Sequence, residues 1–398
     1  MMKLLLLMSC FLVLFSCENI VTEEGNKTIY VPQDFNSIQS AIDFASDGYT
    51  IIVDNGRYSE SVDFFGKKIK VVSHHYITGN ESYIDGTIID GNNSQRCVRF
   101  SGGEDSTSLL SGFTITNGFA SAGGGILCQN NSSPILSFLK IQNNTAALSG
   151  GGILCFNNSN PQMSNIEIEN NLVESGTGGG IGIYTSSPVL TDVSIGFNTS
   201  ATGGGIYFSE TQVSMSHIKI YRNISNSGAG FYSYLSEIEF TNSIIYDNLA
   251  DYGAGGYLYF SSIVDLINTT ITNNQCKAGS GGFHCRLDSQ LNTINSILWE
   301  NYPFEIFISG TDAPNDVTIS YSDIRNGENG IYLNGNSNLE WGIENIDLNP
   351  EFLDLDTGNF RLSSTSPCID AGDPDNLYND NDGSINDMGA FGGFGSDW

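Results

Sequence analysis

The sequence contains the stretch Gly123-Gly-Gly-Ile126-Leu-Cys128, and close copies of this stretch return along the chain. Each copy has two or three small residues, mostly glycine, followed by one apolar residue. That apolar residue stands at positions 126, 153, 181, 206, 231, 257 and 283, so the intervals are 27, 28, 25, 25, 26 and 26 residues. Self-similarity at a period of roughly 20–50 residues indicates a solenoid, in which each repeat packs on its neighbours.

A second marker keeps the same period. An asparagine recurs three residues after an isoleucine or leucine, at Asn144, Asn171, Asn198, Asn223, Asn248, Asn274 and Asn301. Each repeat also has two short alternating apolar stretches, such as Ile153/Cys155 and Ile166/Ile168, which predict strands. We therefore predict an all-β, parallel β-helix in which the asparagines form a stacked ladder and the glycines provide positive φ angles at a corner.

The size of the solenoid follows from its period. Because parallel neighbours lie about 4.8 Å apart, about 12 coils of about 26 residues would form a rod roughly 60 Å long. The leucine-rich repeat is the rival solenoid, since its Leu-x-Leu-x-x-Asn pattern resembles Ile166-x-Ile168-x-x-Asn171. The three glycines in a repeat argue against it, because glycine weakens the helix that this fold usually needs.

The segment before the repeats predicts a cover for one end of the rod. Asn36 or Ser37 can cap a short amphipathic helix that ends at Gly48, and strands are predicted at Thr50–Val53 and Ile69–Val72. Residues 28–72 resemble the N-terminal cap and first coils of pectin-lyase-like β-helix proteins. The resemblance implies the fold of that family, a right-handed parallel β-helix with a short N-terminal capping helix.

The first 17 residues indicate export. One lysine precedes an apolar run that is too short to span a bilayer but has the length of a secretory signal. The run ends Leu14-Phe15-Ser16-Cys17, which resembles a bacterial lipobox. The resemblance implies that Cys17 is lipidated and that the protein is anchored in the cell envelope as an outer-membrane lipoprotein, periplasmic or surface-exposed. Ordinary signal cleavage, with Cys17 incidental, is the alternative.

The regularity of the repeat divides the remaining chain. We assign residues 18–27 to a tether, 28–100 to the N-terminal cap and first coils, 101–301 to regular repeats, 302–348 to irregular coils and 349–398 to a C-terminal cap segment. The last segment contains Ser366-Pro-Cys-Ile-Asp370-Ala-Gly372. It resembles the C-terminal signature of secreted bacterial β-helix proteins of the choice-of-anchor type.

Composition limits the partners. The formal charge is −29, from 15 Lys and Arg against 44 Asp and Glu, which excludes nucleic acid and anionic membrane surfaces as good partners. An anionic, pectin-like polymer would also be repelled unless Ca²⁺ bridged it. Hydrophobic residues are 39% of the chain, which is too apolar for an acidic disordered chain. We expect a folded monomer.

Cysteines outside the export signal raise the question of disulfides. Cys128, Cys155 and Cys285 occupy the same position of their repeats, which predicts stacked, buried small hydrophobes. Cys128 could instead bond to Cys155, and Cys276 to Cys285, in an exported protein. The chain has no Cys-x-x-Cys and no histidine pair at ligand spacing, which argues against zinc.

The dense acidic segment near the C-terminus is a candidate calcium site. It contains Asp373, Asp375, Asp380, Asp382 and Asp387, and its Asn-Asp-Asn-Asp-Gly run resembles part of an EF-type loop. The full calcium-loop pattern fails at its first and last positions. A polar loop over the last coil is the alternative to Ca²⁺ binding.

Catalytic motifs of β-helical enzymes are sparse. Calcium-dependent lyases need an acidic cluster beside a base, yet Lys219/Arg222 is the one tight basic pair between positions 100 and 300, and no acidic residue adjoins it. A solvated face is the simpler interpretation of this pair. The paired-carboxylate motifs of β-helical glycosidases are absent. Gly56-Arg-Tyr-Ser-Glu60 matches a short methylesterase motif, but the rest of that family's pattern is missing.

Two classes of function remain. The first is a non-catalytic, adhesin-like lipoprotein whose rod binds glycans or other cell-surface partners, and the repeats resemble those of chlamydial polymorphic outer-membrane proteins. The second is a polysaccharide lyase or glycoside hydrolase acting in a groove of the β-helix. Tyrosines near the strand after each glycine corner could stack on sugars, or roughly half could point inward as packing: Tyr184, Tyr207, Tyr232, Tyr234, Tyr257 and Tyr259. We expect any site where the repeat is broken, in 222–234, 302–345 or 373–387.

Overall fold

The computed structural model describes residues 27–355, 357–396 and 398, and it confirms the predicted solenoid. The chain winds into a parallel β-solenoid of about 12 turns of ~26 residues. Equivalent strands of successive coils pair in parallel, and the leucine-rich alternative is wrong. The lipidation proposed for Cys17 lies outside the described residues. No helix in the described part has the length and apolarity needed to span a bilayer.

The largest sheet, sheet A, has 17 strands. From Leu109 to Thr272, its strands are eight to ten residues long, and each contains one residue with positive φ, such as Asn165 (55°) or Asn242 (45°). This residue marks a corner that divides sheet A into a first and a second face. The strands, numbered along the chain, are β1 Thr28–Val31, β2 Thr50–Val53, β3 Gly56–Tyr58, β5 Lys70–Ser73, β6 Thr87–Asp90, β8 Leu109–Thr116, β11 Ile135–Gln142, β14 Gln162–Glu169, β17 Val189–Gly196, β19 Gln212–Tyr221, β22 Glu237–Tyr246, β25 Ile263–Thr272, β28 Gln290–Ile294, β29 Ile297–Trp299, β31 Asp316–Ser320, β32 Asp323–Ile324 and β34 Asn338–Trp341.

Sheet B forms the third side of the rod and has 11 strands. Most of its strands follow the glycine-rich corner directly, so the repeated stretch of the sequence is the entrance to this sheet. They are β4 Val62–Asp63, β7 Val98–Phe100, β10 Ile126–Gln129, β13 Ile153–Phe156, β16 Ile181–Tyr184, β18 Ile206–Ser209, β21 Phe231–Tyr234, β24 Gly256–Tyr259, β27 Phe283–Arg286, β30 Ile306–Gly310 and β33 Ile331–Gly335.

Shorter elements complete the chain. Two three-stranded sheets lie between the second face of sheet A and sheet B, and a hairpin lies near the C-terminus: β9 Phe119–Ala122, β12 Thr145–Ser149 and β15 Leu172–Val173; β20 Ile224–Ser227, β23 Leu249–Tyr252 and β26 Gln275–Cys276; and β35 Phe352–Asp354 with β36 Asn359–Leu362. The helices are α1 Ile38–Phe44, α2 His75–Thr78, α3 Ser82–Gly86 and a 3-10 turn, Gly327–Gly330.

The predicted asparagine ladder is confirmed. The side-chain amide of Asn171 donates from Nδ2 to Asn198 Oδ1 at 3.0 Å and to the carbonyl of Ile141 at 2.9 Å, and Asn171 Oδ1 accepts from the backbone N–H of Asn144 at 3.0 Å. The same contacts repeat from coil to coil as far as Asn301. Each buried amide is thus satisfied by the coils on both sides, which stabilises the stacking.

The glycine corner is explained by close backbone approach. Gly150 has φ 61°, and a Cβ on Gly151 would lie 2.5 Å from the carbonyl oxygen of Gly179 in the next coil. A side chain at Gly151 would therefore force the neighbouring coil to shift, and glycine avoids this clash. The Gly-Gly-Gly-Ile stretch therefore serves the geometry of the turn.

All six cysteines in the described part of the chain are buried free thiols. Cys128 and Cys155 lie in register on β10 and β13 and point into the core, as the stacked-hydrophobe interpretation predicts. Neither proposed disulfide is formed. Cys276 belongs to the small sheet and donates to the backbone oxygens of Asp251 and Ala278, whereas Cys285 points into the core from sheet B. Whether Cys128 and Cys155 oxidise stays a prediction.

Helix α1 covers the N-terminal end of the rod. Ser37 caps it by accepting from the backbone N–H of Ser40 at 3.1 Å, and Ile38, Ala41 and Ile42 are fully buried. The helix ends at Phe44, four residues before the glycine that was expected to end it. Glu60, from the motif Gly56-Arg-Tyr-Ser-Glu60, accepts the backbone N–H groups of Ile38 (2.9 Å) and Gln39 (2.8 Å), so that motif holds the cap in place.

Candidate functional site

The C-terminal segment, residues 349–398, lies along the flank of the rod on the second face of sheet A. Asn242 Nδ2 donates to the carbonyl of Gly392 at 2.6 Å, and Asn268 and Asn386 exchange two amide hydrogen bonds at 3.0 and 3.1 Å. The apolar side chains Phe360 and Ala390 pack against Ile244. The segment therefore covers the later coils of this face and leaves the earlier coils uncovered.

An insertion between β5 and β6 covers the opposite end of the same face. It forms α2 and α3, and the carbonyl of Ile84 accepts from Thr114 Oγ1 at 2.9 Å. His75 packs against the ring of Phe138 with ring centres 4.5 Å apart. Between this insertion and the C-terminal segment, the outer surface of β11, β14, β17 and β19 is open.

This opening, which we term the flank groove, has a volume of about 490 Å³. Its lining combines polar groups from neighbouring coils (carboxylates, one amine, two hydroxyls and one amide) with four apolar side chains. The lining residues are Glu81, Ser82, Ile84, Asp85, Phe138, Leu139, Lys140, Asn165, Ile166, Glu167, Asp192 and Ser194. Most of these residues belong to regular repeats, outside the three ranges where a site was expected.

Lys140 is the positive charge at the centre of the groove floor. Its Nζ lies 2.7 Å from Asp85 Oδ1 of the insertion and 3.8 Å from Glu167 Oε2 of the next coil. The hydrogen bond to Asp85 raises the pKa of Lys140, so the amine stays charged at neutral pH. The side chains of Asp85 and Glu167 remain 65% and 58% exposed, so both carboxylates can also contact a ligand.

Trp398 packs on β19, the coil next to the groove. Its ring stacks on His217, with centres 5.4 Å apart, and Lys219 Nζ lies 4.8 Å from the ring centre. His217 Nδ1 lies 3.0 Å from Asp192 Oδ1, so the carboxylate orients the imidazole. Burial lowers the pKa of Lys219, and the nearby guanidinium of Arg361 lowers it further.

The basic pair Lys219/Arg222 is divided by the fold. Lys219 points outward from β19 toward Trp398, whereas Arg222 has φ 51° in the turn after that strand and pairs with Asp247 at 3.2 Å. Asp247 belongs to the next coil, which explains why no acidic partner is evident in the sequence around Arg222. Arg222 is thus an ion-paired surface residue, and Lys219 packs under Trp398 on the coil next to the groove.

Tyr221 and Glu169 extend the floor toward the turn into the small sheets. The Tyr221 hydroxyl donates to Glu169 Oε1, two coils away. The ring of Tyr221 lies across Gly196, where a Cβ would be 2.5 Å from the ring. Burial raises the pKa of Tyr221, and its hydrogen bond to the Glu169 carboxylate raises it further. The tyrosine therefore stays protonated and serves as a hydrogen-bond donor.

The six tyrosines proposed to stack on sugars lie on a different side, the outer face of sheet B, and none points inward. They form two rows, a continuous one of Tyr207, Tyr232 and Tyr257 and a second one in which Ser209 separates Tyr184 from Tyr234 and Tyr259. Tyr232 stacks on Tyr207 at 5.5 Å (13°) and on Tyr257 at 5.2 Å (5°). Because both ring faces of Tyr232 are occupied, this residue presents an edge to solvent instead of a stacking face.

The acidic segment makes local turns. Asp380 accepts the backbone N–H of Asp387 at 3.2 Å, and Asp387 Oδ1 accepts that of Asp370 at 2.8 Å. Asp373, Asp375 and Asp382 each accept a backbone N–H two residues ahead. Burial raises the pKa of Asp387 to about 6. In residues 27–355, 357–396 and 398, no group of three or more His, Cys, Asp or Glu side chains is arranged to hold a metal ion. Calcium binding stays a prediction.

Comparison with known proteins identifies the fold. No protein-family model matches the chain, and no curated protein matches it in sequence. Among solved structures, the chain is similar to the crystal structure of the pectate lyase Pel9A, with a TM-score of 0.58 and 17% sequence identity over 89% of this chain and 90% of that chain. The protein therefore has a pectate-lyase-like right-handed parallel β-helix. At this identity, the likeness concerns the fold alone.

The sequence did not point to the residues that shape the groove. Glu167 and Asp192 occupy outward or corner positions of ordinary repeats, and Asp85 stands far from them along the chain. The one available signal was the corner position of each repeat, which carries Phe, Asn, Asp and His in successive coils instead of a single residue type.

Proposed function

We propose that this protein binds a carbohydrate polymer in the flank groove without transforming it. The observation that carries the proposal is the groove itself, whose lining combines carboxylates, an amine and an amide with the exposed aromatic ring of Phe138. Sugars offer hydroxyl groups around an apolar ring face, and such sites combine a few directed polar groups with aromatic surfaces.

The groups in the groove match that requirement. Lys140 and the amide of Asn165 can donate, whereas Glu167 and Asp192 can accept from sugar hydroxyls. These residues lie on successive coils, and coils are about 4.8 Å apart, so the floor is elongated along the rod and suits a chain of sugars.

The charge of the groove restricts the glycan. The lining contains four carboxylates, on Glu81, Asp85, Glu167 and Asp192, against the one amine of Lys140. An anionic polymer would meet repulsion both here and from the whole chain, whose formal charge is −29. We therefore propose a neutral glycan or one that contains amino sugars.

The proposed lipid anchor is compatible with glycan binding. A lipid on Cys17 would place the N-terminal end of the rod at the membrane, and the groove would then project from it into the cell envelope or the outside. Fatty-acid labelling of wild type and Cys17→Ala tests this part, and equal labelling of both would contradict it.

Binding of a glycan panel to the soluble 18–398 fragment tests the proposal. We expect one neutral or amino-sugar polymer to bind and Glu167→Ala to weaken binding about tenfold, because a charge-assisted hydrogen bond is lost. Glu237→Ala is the matched control, since Glu237 is an exposed carboxylate on the first face of the same sheet. Equal binding by the wild type and both variants would contradict a glycan site in the groove.

A polysaccharide lyase or hydrolase is the second candidate, and Lys219 is the observation in its favour. Its lowered pKa leaves more of the neutral amine, which could remove the proton next to a sugar carboxylate while the glycosidic oxygen leaves. Turnover that is lost in Lys219→Met but kept in Lys277→Met, a variant of an exposed lysine, would place this candidate first.

A further inference from the structure

The last coil of the rod ends in exposed core side chains. On β33 and β34, Leu333, Leu339 and Trp341 continue the inward columns of Ile308, Val317 and Ile319, which are fully buried one coil earlier. Leu333 is 46% exposed, and the other two are half-buried. We term residues 331–341 the open end; they lie in the 302–345 range, where the repeat is lost.

The two ends of the rod differ. At the N-terminal end, α1 buries three apolar side chains on the first coils. At the other end, the C-terminal segment turns along the flank, so its apolar residues pack on Ile244 and Ile297 of the second face of sheet A. Within the described part of the chain, β33 pairs only with β30, and β34 pairs only with β31. Both therefore present a free strand edge.

An outward aromatic column also stops at the open end. His284, Phe307 and Tyr332 continue the aromatic row of sheet B, with Phe307 and Tyr332 stacked at 4.9 Å (23°). Tyr332 is 42% exposed and has no aromatic neighbour from a following coil among the described residues. An added strand would therefore extend backbone pairing and side-chain columns together.

The charges at the open end indicate the chemistry of a partner that would bind there. Glu340 is exposed on β34 between the inward residues Leu339 and Trp341, and Glu328 and Glu344 are exposed nearby. Arg325 is the last basic residue before Arg361 in the sequence, and its guanidinium lies 3.7 Å from Glu300. In a dimer, these carboxylates would repel the same carboxylates of the second copy, whereas a basic strand would neutralise their charge.

We propose that β34 binds an extended segment of a partner protein in which apolar residues alternate with lysine or arginine. Its apolar side chains would cover Leu339 and Trp341, and its basic side chains would lie beside Glu340. This site is separate from the flank groove, so the glycan-binding proposal and this one succeed or fail independently.

The test uses a labelled ten-residue peptide of alternating valine and lysine, with fluorescence anisotropy as the readout. A peptide of alternating proline and lysine carries the same charge but lacks half of the backbone donors that a strand needs. We expect saturable binding of the first peptide and at least fivefold weaker binding of the second.

Two charge reversals locate the site. Glu340→Lys should weaken binding of the valine peptide about fivefold to tenfold, because an attractive cross-strand pair becomes repulsive. Glu237→Lys makes the same change of charge on another exposed part of sheet A and should have little effect. Thermal unfolding of both variants checks that each remains folded.

Four results would overturn the proposal. Equal binding of the two peptides, or equal weakening by the two variants, would mean a general attraction to a chain of −29 charge. No binding of the valine peptide would exclude a basic strand. If the peptide does not bind and sedimentation shows a dimer that Glu340→Lys alters, the open end binds a second copy of the chain instead.

Discussion

Replacing Asn223 with alanine should destabilise the rod strongly, although it removes only one small polar side chain. Asn223 is fully buried, and its Oδ1 accepts from the backbone N–H of Asn198 at 2.9 Å and from Asn198 Nδ2 at 3.1 Å. Its Nδ2 donates to the carbonyl of Ile195 at 2.9 Å and to Asn248 Oδ1 at 3.0 Å. The variant would leave two donors of Asn198 without an acceptor in a site that excludes water.

The magnitude follows from these two orphaned donors. Each unsatisfied buried donor costs about 1–3 kcal/mol, so the free energy of unfolding should fall by about 2–6 kcal/mol. Urea unfolding followed by circular dichroism measures this change. Asn226→Ala is the matched control, because Asn226 lies in the same coil but is exposed, and it should change stability by less than about 0.5 kcal/mol. A loss for Asn223→Ala as small as that of the control would refute the ladder as a source of stability.

Three further predictions concern pH, packing and calcium. Glu305 ends the asparagine ladder, and burial raises its pKa to about 8. The contribution of Glu305 to stability is therefore complete below about pH 4.5 and is lost as the pH rises through 8. Glu305→Gln should be nearly as stable as the wild type at pH 4 and more stable at pH 9, and the difference in the free energy of unfolding should grow by about 1.4 kcal/mol per pH unit in between. Gly196→Ala should displace the ring of Tyr221 and lower the free energy of unfolding by about 1–3 kcal/mol, and an unchanged urea midpoint would contradict the close contact between them. The calcium hypothesis predicts a higher melting temperature in excess Ca²⁺, and a curve unmoved by Ca²⁺ or by chelator would remove it.

The fold was predictable because its determinants recur in every coil. Each repeat contains the same local signals. These signals are glycines at the corner, an asparagine at a constant position and two alternating apolar stretches. The amides of Asn171 and Asn198 bond to each other because equivalent residues of a solenoid meet in register. The period of the sequence thus predicts which residues of neighbouring coils are in contact.

The candidate site was less predictable because its parts are not periodic. Asp85 comes from an insertion and meets Lys140, and Asp247 meets Arg222 only because coils stack. An outward position tolerates many residue types, so Glu167 and Asp192 do not stand out from other surface residues of the repeats. Their proximity becomes visible only once the register of the strands is known.

Local sequence patterns predict the period, the strands, the asparagine ladder, the glycine corner and the helix that covers the first coils. The position of the C-terminal segment became known only from the folded chain, because it depends on contacts between distant, unrepeated residues, such as Asn242 with Gly392, 150 positions apart. By packing on the flank, this segment places Trp398 over His217 and Lys219, on the coil next to the groove, and leaves Leu333 exposed and Trp341 half-buried at the open end. Repetition builds the rod, and the non-repeating insertion and C-terminal segment decide which parts of its surface stay exposed.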